Sequence, residues 1–362
     1  MAYLREGAGG DVLICNKNVY VLSRQESRKL CLRERKQDGN HRKGRQAIVE
    51  PITGLVEATE RPADGPESRA RWCCEQLEEG NILFFSASPI DLPEGDREFL
   101  LSQRQSGAAY HKNIAYRPKQ DRLTGFASRT HGEPERLRAI MRAYSERVTR
   151  FLSELLPQYA GTWRLDLASF RPQEEQGRQL RLRARNDLLH VDSFPTRPTN
   201  GDRILRVFTN INPTQPRIWL TTETFEGLAQ RFWRLDGAAG RLPRRASWFQ
   251  RVAGAGAGRA LLRLLGLPVA KPSPYDELML AFHHYLKEHR DFQETCPKMR
   301  WEFPPNSTWI VFTDMVAHAV LAGQFALEQT YIVSRSSLVL PHKAPVSILE
   351  SLLGRELTQK GG

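Results

Sequence analysis

Two histidines and one aspartate have the types and the spacing needed to bind a divalent metal ion. His190 and Asp192 are separated by one residue, and His318 follows 126 residues after Asp192. Side chains two residues apart on an extended segment point to the same side, so His190 and Asp192 can face one site. Two imidazoles and one carboxylate form the facial triad that leaves coordination positions open on Fe(II). The sequence therefore predicts an iron site with His190, Asp192 and His318 as ligands.

The same chemistry needs a group that binds an anionic cosubstrate. A His-x-Asp pair is weak support by itself, because a chain with nine histidines can contain one by chance. In the apolar strand predicted over residues 329–340, Arg335 and Ser337 share a face with Tyr331 and Val333. An inward guanidinium requires an anion, and a carboxylate of 2-oxoglutarate would pair with it in a bidentate manner. We therefore predict that Arg335 and Ser337 bind 2-oxoglutarate, with a surface-facing arginine as the alternative, and that the cofactors are Fe(II), 2-oxoglutarate and O2.

Two further arginines and one polar cluster are candidates for ligand binding. Arg171 follows an apolar strand pattern and Arg206 lies within another, so either side chain could contact an acidic substrate or the inner carboxylate of the cosubstrate. A structural salt bridge is the alternative for each arginine. His111, Lys112 and Tyr116 form a basic, polar cluster that could line a substrate rim, although a turn is the default interpretation.

The remaining motifs favour no other chemistry. His283, His284 and His289 lie on a predicted helix without HExxH spacing, and we interpret them as solvated or at the edge of the core. The sequence contains neither a Walker-type loop nor a GxGxxG motif, which excludes the usual nucleotide-binding sites.

The elements that must position these residues are mostly strands. A helical period over residues 134–159 is followed by alternating patterns, which predict strands over 162–170, 178–184, 202–213, 217–225, 307–314 and 329–340. Strands with few helices between them favour an antiparallel sandwich or barrel over βαβ units. The fold class predicted is mainly β with flanking helices.

Composition divides the chain into four parts. Residues 1–70 form a basic arm that is poor in core-forming residues, and residues 71–160 supply helical and strand elements that pack on the core. Residues 161–345 form the β core with a helical insertion at about 226–300, and residues 346–362 form a C-terminal tail. The five cysteines and the absence of a signal-peptide pattern predict a reducing, cytoplasmic location.

Three longer segments give the sequence a family resemblance. The segments HKNIAYRP, LHVDSFPTRPTNGDRILRVFTNINP and WIVFTDMVAHAVLAGQ together resemble the Kdo hydroxylases, over about residues 72–345. These enzymes are Fe(II)/2-oxoglutarate-dependent dioxygenases that 3-hydroxylate 3-deoxy-D-manno-oct-2-ulosonic acid (Kdo) on lipid A precursors. The resemblance implies a double-stranded β-helix (jelly-roll) core, with His190, Asp192 and His318 as the iron ligands.

The net charge of +12 predicts an anionic partner, such as nucleic acid, an acidic membrane surface or an acidic substrate. The resemblance implies the anionic Kdo-lipid A glycolipid. Residues 237–275 contain seven Lys/Arg and no acid, together with Trp248 and Phe249. We predict that this segment makes peripheral contact with the inner membrane. The alternative is a basic loop that covers the barrel. An oxygenase acting on nucleic acid and a non-catalytic basic binding module are the competing functions. We expect no nucleic-acid partner, and the sequence leaves the oligomeric state open.

Overall fold

The structure of the chain is a computed structural model. This structure describes residues 53–58, 65–104, 113–126, 133–232 and 272–359, together with the backbone of residues 2–3, 11–15, 18–22 and 233–234. The strands are β1 (Ala2–Tyr3), β2 (Asp11–Cys15), β3 (Asn18–Leu22), β4 (Leu55–Glu57), β5 (Ile82–Phe85), β6 (Ile114–Arg117), β7 (Arg122–Thr124), β8 (Arg164–Arg171), β9 (Arg203–Asn210), β10 (Arg217–Thr224), β11 (Met299–Phe303), β12 (Thr308–Phe312), β13 (Val316–Ala322) and β14 (Ala326–Val333). The helices are α1 (Pro66–Glu78), α2 (Glu94–Ser102), α3 (Glu133–Leu155), α4 (Pro157–Ala160), α5 (Phe225–Arg234), α6 (Pro274–Glu288), α7 (Arg290–Thr295) and α8 (Pro345–Leu353).

The strands form one large and two small sheets. Eight strands pair in the order β4-β5-β12-β9-β14-β8-β6-β7, and a second sheet has the order β11-β10-β13. Strands β1, β2 and β3 form a separate three-stranded sheet. The pairs of the eight-stranded sheet and of the β11-β10-β13 sheet are antiparallel, apart from β4 with β5, which is parallel. The predicted sheet-rich fold with flanking helices, dominated by antiparallel pairs, is confirmed.

An aromatic cluster joins the eight-stranded sheet to the β11-β10-β13 sheet. Trp309 of β12 stacks on Phe303 of β11, with ring centroids 3.9 Å apart, and on Phe208 of β9 at 5.3 Å. Trp219 of β10 meets the ring of Trp309 edge to face and is fully buried. Because the aromatic rings come from both sheets, their burial holds the sheets together.

The amphipathic helix predicted over residues 134–159 is confirmed as α3, which is followed by the short helix α4. The apolar side chains that recur along it at spacings of three and four are buried from Leu137 to Leu155, apart from Phe151, which is half-buried. Tyr144 of α3 lies 3.3 Å from the hydroxyl of Thr209, and Thr149 bonds the hydroxyl of Tyr331 at 2.8 Å. These contacts pack α3 against β9 and β14 of the large sheet.

Several strand predictions differ from the structure. Residues 178–184 contain a short 3-10 turn at Leu182–Ala184 instead of a strand. The alternation of arginine and leucine there imitates a strand, but Leu182 is 46% exposed, so the segment has no buried face. Strands β11 and β13 were not predicted. The strand predicted over 329–340 ends at Val333.

Parts of the predicted arm and tail pack against the core. Strand β4, which lies within residues 1–70, joins the large sheet beside β5, and the neighbouring Ala58 is buried. At the other end of the chain, helix α8 buries Val346 and Leu349, and Leu357 is fully buried. The basic segment 237–275 lies outside the described residues as far as residue 271. None of the helices in the described ranges has the length and apolar character needed to span a membrane.

Candidate metal centre and active site

Backbone pairing brings the two predicted histidine ligands together. His190 and His318 form an isolated antiparallel bridge, in which each backbone N–H donates to the carbonyl of the other residue, at 3.1 and 2.9 Å. Residues directly opposite in an antiparallel pair place their side chains on the same face. The two imidazole centroids are accordingly 4.8 Å apart, and the ring of Trp219 stacks on His318 at 5.0 Å. The aromatic cluster between the sheets therefore supports one side of the site.

Hydrogen bonds fix the tautomer of both imidazoles. Nδ1 of His190 lies 2.7 Å from the carbonyl oxygen of Leu188, and Nδ1 of His318 lies 2.9 Å from that of Val316. A carbonyl oxygen only accepts, so each Nδ1 carries the proton and each Nε2 presents a lone pair. Burial lowers the pKa of His190 and of His318. Both imidazoles are thus neutral near pH 7, with Nε2 available to bind a metal ion.

Asp192 is kept ionised beside these imidazoles. One carboxylate oxygen lies 3.7 Å from Nε2 of His190, and the other is ion-paired with Arg206 at 2.9 Å. Burial alone would raise the pKa of Asp192, but the Arg206 guanidinium holds this pKa well below its usual range. Two neutral imidazoles and an ionised carboxylate are the donors that suit a divalent metal, so the residues present fit the predicted iron.

A third imidazole faces the same centre. His283 of α6 points its ring at His190, with centroids 4.9 Å apart, and its Nδ1 lies 2.7 Å from the carbonyl of Val191. Among the described residues, the potential metal ligands whose donor atoms all lie within 4.8 Å of one another are His190, Asp192 and His283. This group does not include the predicted ligand His318. His283 is half-buried, in agreement with the core-edge interpretation, and its sequence carried no signal of its proximity to His190, because that proximity depends on how α6 packs.

A buried acid with two arginines lies next to the centre. Glu328 of β14 is ion-paired with Arg206 at 3.1 Å and with Arg171, and it accepts hydrogen bonds from Ser169 and Thr330. Burial would raise the pKa of Glu328, but Arg206 and Arg171 lower it to about 2. The structure thus places both predicted arginines in the site, each with an acidic partner. Sequence reasoning missed Glu328.

A third arginine, Arg217, lines the cavity that surrounds His190, Asp192 and His318. Its side chain is fully buried, donates to the carbonyl of Gly323 at 3.0 Å and lies 3.5 Å from Glu175. Burial, together with the nearby Arg171, lowers the pKa of Arg217 to about 10. Gly323 has φ of +119°, and a Cβ there would come within 2.9 Å of Arg217, so this approach requires glycine. Sequence reasoning did not single out Arg217.

Arg335 and Ser337 lie away from the cavity. Strand β14 ends two residues before Arg335, and residues 335–337 form a 3-10 turn in which the Arg335 side chain is exposed. Ser337 donates its hydroxyl proton to the carbonyl of Ser334. The inward orientation predicted for these residues is wrong, because the strand alternation does not continue past Val333.

The proposed substrate rim is only partly described. His111 and Lys112 lie outside the described residues. Tyr116 is buried and donates to Asp121 at 2.9 Å, in a groove beside α3 and not in the metal cavity. Its placement on the rim is therefore corrected. Asn113 does line the metal cavity.

The cavity around the centre has a volume of about 340 Å³ and is rich in positive charge. Among the described lining residues, Asp192 is the one acid. The basic lining residues are Arg171, Arg183, Arg197, Arg206, Arg217 and Lys287. Such a surface suits a ligand with carboxylate or phosphate groups.

Comparison with known proteins agrees with this geometry. The family model described as 3-deoxy-D-manno-oct-2-ulosonic acid (Kdo) hydroxylase matches residues 60–356. The solved structure of the Kdo hydroxylase KdoO, a non-heme Fe(II) alphaketoglutarate dependent dioxygenase, in complex with cobalt(II) has 35% sequence identity and a TM-score of 0.71, over 85% of this chain and 98% of that chain. The KdoO complex with alphaketoglutarate and Fe(III) has 33% identity and a TM-score of 0.69, over 86% of this chain and 99% of that chain. None of the curated proteins matches the chain. By the family match and these similarities, the chain belongs to the Kdo hydroxylase family.

Proposed function

We propose that this protein is a dioxygenase that uses Fe(II), 2-oxoglutarate and O2 to 3-hydroxylate the Kdo sugar of Kdo-lipid A. One observation carries the proposal: the backbone bridge between His190 and His318 brings two neutral imidazoles and the Asp192 carboxylate together in an arginine-lined cavity. The chain's membership of the Kdo hydroxylase family supports the sugar. We further propose that the eight-stranded sheet and the β11-β10-β13 sheet contain the two halves of a double-stranded β-helix.

His190, Asp192 and His318 would hold the iron. When bound, Fe(II) with its cosubstrates supplies the oxidising chemistry that inserts one oxygen atom into a C–H bond. The chain's own task at this point is orientation. The carbonyls of Leu188 and Val316 fix the imidazole rings, and Arg206 fixes one oxygen of Asp192.

Arg171, Arg206 and Arg217 would bind the carboxylates of 2-oxoglutarate. All three line the cavity, and Arg171 and Arg206 share the acidic partner Glu328. An arginine has five N–H donors, so it can keep an acidic partner and still bind a second carboxylate. The acids hold the guanidinium groups in place before the ligand binds, which reduces the entropy lost on binding.

The remaining cations would recognise the acidic glycolipid. Kdo carries a carboxylate and lipid A carries phosphates, and both suit the side chains of Arg183, Arg197 and Lys287 at the cavity. The aromatic rings of the cavity are engaged within the protein. Arg197 covers the ring of Phe194 at 4.1 Å, and Trp219 stacks on His318, so these rings do not offer open faces on which nucleobases could stack.

The proposed substrate also implies a cellular location for the protein. We propose that it works at the cytosolic face of the inner membrane, where a Kdo-lipid A precursor would be presented. The acid-free basic segment 237–275 supports this placement, because basic residues near an anionic leaflet contribute about 1 kcal/mol each. Deleting residues 241–267 should weaken binding to anionic liposomes, and unchanged binding would refute membrane contact by this segment.

Activity on matched substrates tests the proposed function. The protein is incubated with Fe(II), 2-oxoglutarate and ascorbate, and with Kdo-lipid A precursor, the same lipid lacking Kdo, or a single-stranded oligonucleotide. We expect a product one oxygen atom heavier from the Kdo lipid alone. A heavier oligonucleotide with an unchanged Kdo lipid would instead assign the protein to nucleic-acid oxygenases.

A further inference from the structure

Helix α6 is fixed against the segment that carries two of the candidate metal ligands. Asp276 completes a capping box at the start of α6 and also accepts the backbone N–H of Thr199 at 2.7 Å. Beyond the end of α6, Gln293 of α7 accepts from the backbone N–H of Leu189 and donates to its carbonyl, at 3.0 and 2.8 Å. Because these bonds lie before and after His283 along the chain, they hold its side chain in one place beside the site.

The second ring nitrogen of His283 is a hydrogen-bond acceptor next to the metal centre. Its Nδ1 lies 2.7 Å from the carbonyl oxygen of Val191, so in the neutral imidazole Nδ1 carries the proton and Nε2 carries a lone pair. Among the described residues, the side chain of His283 makes no other hydrogen bond. One of its ring nitrogens lies within 4.8 Å of donor atoms of His190 and Asp192. A ligand group bound at Nε2 would therefore lie beside the metal centre.

The metal chemistry leaves His283 available for this second task. His190, Asp192 and His318 supply the two imidazoles and one carboxylate of the predicted triad. These ligands and a chelating cosubstrate leave one position for O2 on an octahedral ion, so a further protein ligand would take a position that the reaction needs. The lone pair of His283 therefore requires a donor from another source, and the cavity that His283 lines is open to a substrate.

Two other neutral groups of the cavity also lack partners. Oδ1 of Asn113 and Nδ1 of His284 are buried and have no hydrogen-bond partner in the described part of the chain. Leaving a buried polar atom unpaired is unfavourable. The arginines of the cavity suit carboxylates and phosphates, whereas these neutral groups suit hydroxyls, which both donate and accept hydrogen bonds. The cavity thus matches a ligand that carries several hydroxyls as well as an anionic group.

We propose that His283 is a positioning residue for the substrate, whose Nε2 accepts a hydrogen bond from a hydroxyl of the sugar and so holds the reacting C–H bond next to the metal centre. This inference rests on the proposed function and deepens it by naming a residue that orients the sugar. In Kdo the carbon next to C3 carries a hydroxyl, so the donor to His283 and the reacting carbon are neighbours. The assignment gives helix α6, and hence the insertion at about 226–300, a direct part in substrate recognition.

Kinetics of three variants test this proposal on the full-length protein with Fe(II), 2-oxoglutarate and Kdo-lipid A precursor. H283A and H283F both lack the acceptor, and H283F also fills the space of the ring. In both we expect kcat/KM for the Kdo lipid to fall about tenfold, because the sugar loses a hydrogen bond in a buried site. H283Q keeps a side-chain acceptor and should recover part of this loss.

Three further readouts separate positioning of the substrate from a structural role. In H283A and H283F the amount of 2-oxoglutarate consumed per hydroxylated product should rise above the wild-type ratio, because a badly placed sugar receives fewer oxygen atoms. The KM for 2-oxoglutarate and the Kd for Co(II) should keep their wild-type values. The matched control is H342A, which removes an exposed histidine outside the cavity and should leave all four quantities unchanged.

The outcomes distinguish this inference from the proposed function. Wild-type kcat/KM and coupling in H283A or H283F would overturn the role of His283 while the proposed function stands. A Kd for Co(II) raised in every His283 variant would also overturn it, since His283 would then act through the metal centre. A wild-type protein that does not hydroxylate Kdo-lipid A would overturn the proposed function and, with it, this inference.

Discussion

Arg206 connects the candidate metal ligand Asp192 to the buried Glu328, and its replacement by glutamine tests the electrostatics of the site. The guanidinium lies 2.9 Å from Asp192 and 3.1 Å from Glu328. The side chains of these three residues are 14%, 10% and 3% exposed, respectively. In R206Q the carboxylates of Asp192 and Glu328 lose the cation that they share. Glu328 then has one cationic partner left, Arg171.

The expected loss of stability follows from this burial. Removing one member of a buried charge pair costs about 3–5 kcal/mol, and we expect about 3 kcal/mol because Glu328 keeps Arg171. For a chain of 362 residues, with an entropy of unfolding of about 2.1 cal/mol/K per residue, this corresponds to a decrease in Tm of about 4–6 °C. The control is R164Q, which breaks an exposed pair with Asp202 at 3.4 Å and should cost less than about 1 kcal/mol.

Urea unfolding of the metal-free proteins at pH 7 measures these losses. A second readout is the Kd for Co(II), which should rise on the order of tenfold in R206Q because Asp192 loses the partner that orients it. R164Q should keep the wild-type Kd. A loss of stability in R206Q as small as that in R164Q, together with an unchanged Kd, would refute the orienting role of Arg206.

Three further predictions concern the ligands, the cosubstrate and the effect of pH. H318A should lose stoichiometric Fe(II), measured by metal analysis, and a variant that retains one iron per chain would exclude His318 as a ligand. R217Q should raise the KM for 2-oxoglutarate at least about tenfold, because the cosubstrate loses a bidentate contact. R335A should leave this KM unchanged, because Arg335 is exposed. Equal effects of the two substitutions on the KM would contradict the placement of Arg217 in the cavity and of Arg335 outside it. Burial lowers the pKa of His190 below 6.5, so below that pH the unfolded chain binds a proton that the folded protein excludes. The free energy of unfolding of the metal-free protein should therefore fall as the pH drops below 6.5, and it should fall less steeply in H190Q; parallel pH profiles from urea titrations would contradict this reasoning.

The candidate metal ligands could be selected from the sequence because their spacing is local or simple. His190 and Asp192 lie two residues apart on extended chain, which places them on one side without any tertiary information. The strand that carries His318 was missed, since Val316–Ala322 is buried along most of its length and shows no alternation. The residue type and its position between two strand patterns were enough to select His318.

The buried charged residues of the cavity, including those proposed to bind the cosubstrate, were harder to predict because burial of charge depends on distant partners. Arg335 was selected because the alternation of apolar residues predicted a strand as far as residue 340. In the structure this strand ends at Val333, and Ser334 caps a 3-10 turn. Arg217 and Glu328 are buried beside partners that are far away in sequence. No local pattern identifies such residues, because burial of a charge is favourable only when the fold brings its counter-charge.

The source of the inserted oxygen tests the central claim most directly. The protein is supplied with Fe(II), 2-oxoglutarate, Kdo-lipid A precursor and ¹⁸O2, and the glycolipid is analysed by mass spectrometry with fragmentation of the Kdo unit. We predict one ¹⁸O atom on Kdo, one succinate released per product, and neither in H318A. Succinate release without ¹⁸O in the glycolipid would contradict hydroxylation of Kdo by this protein.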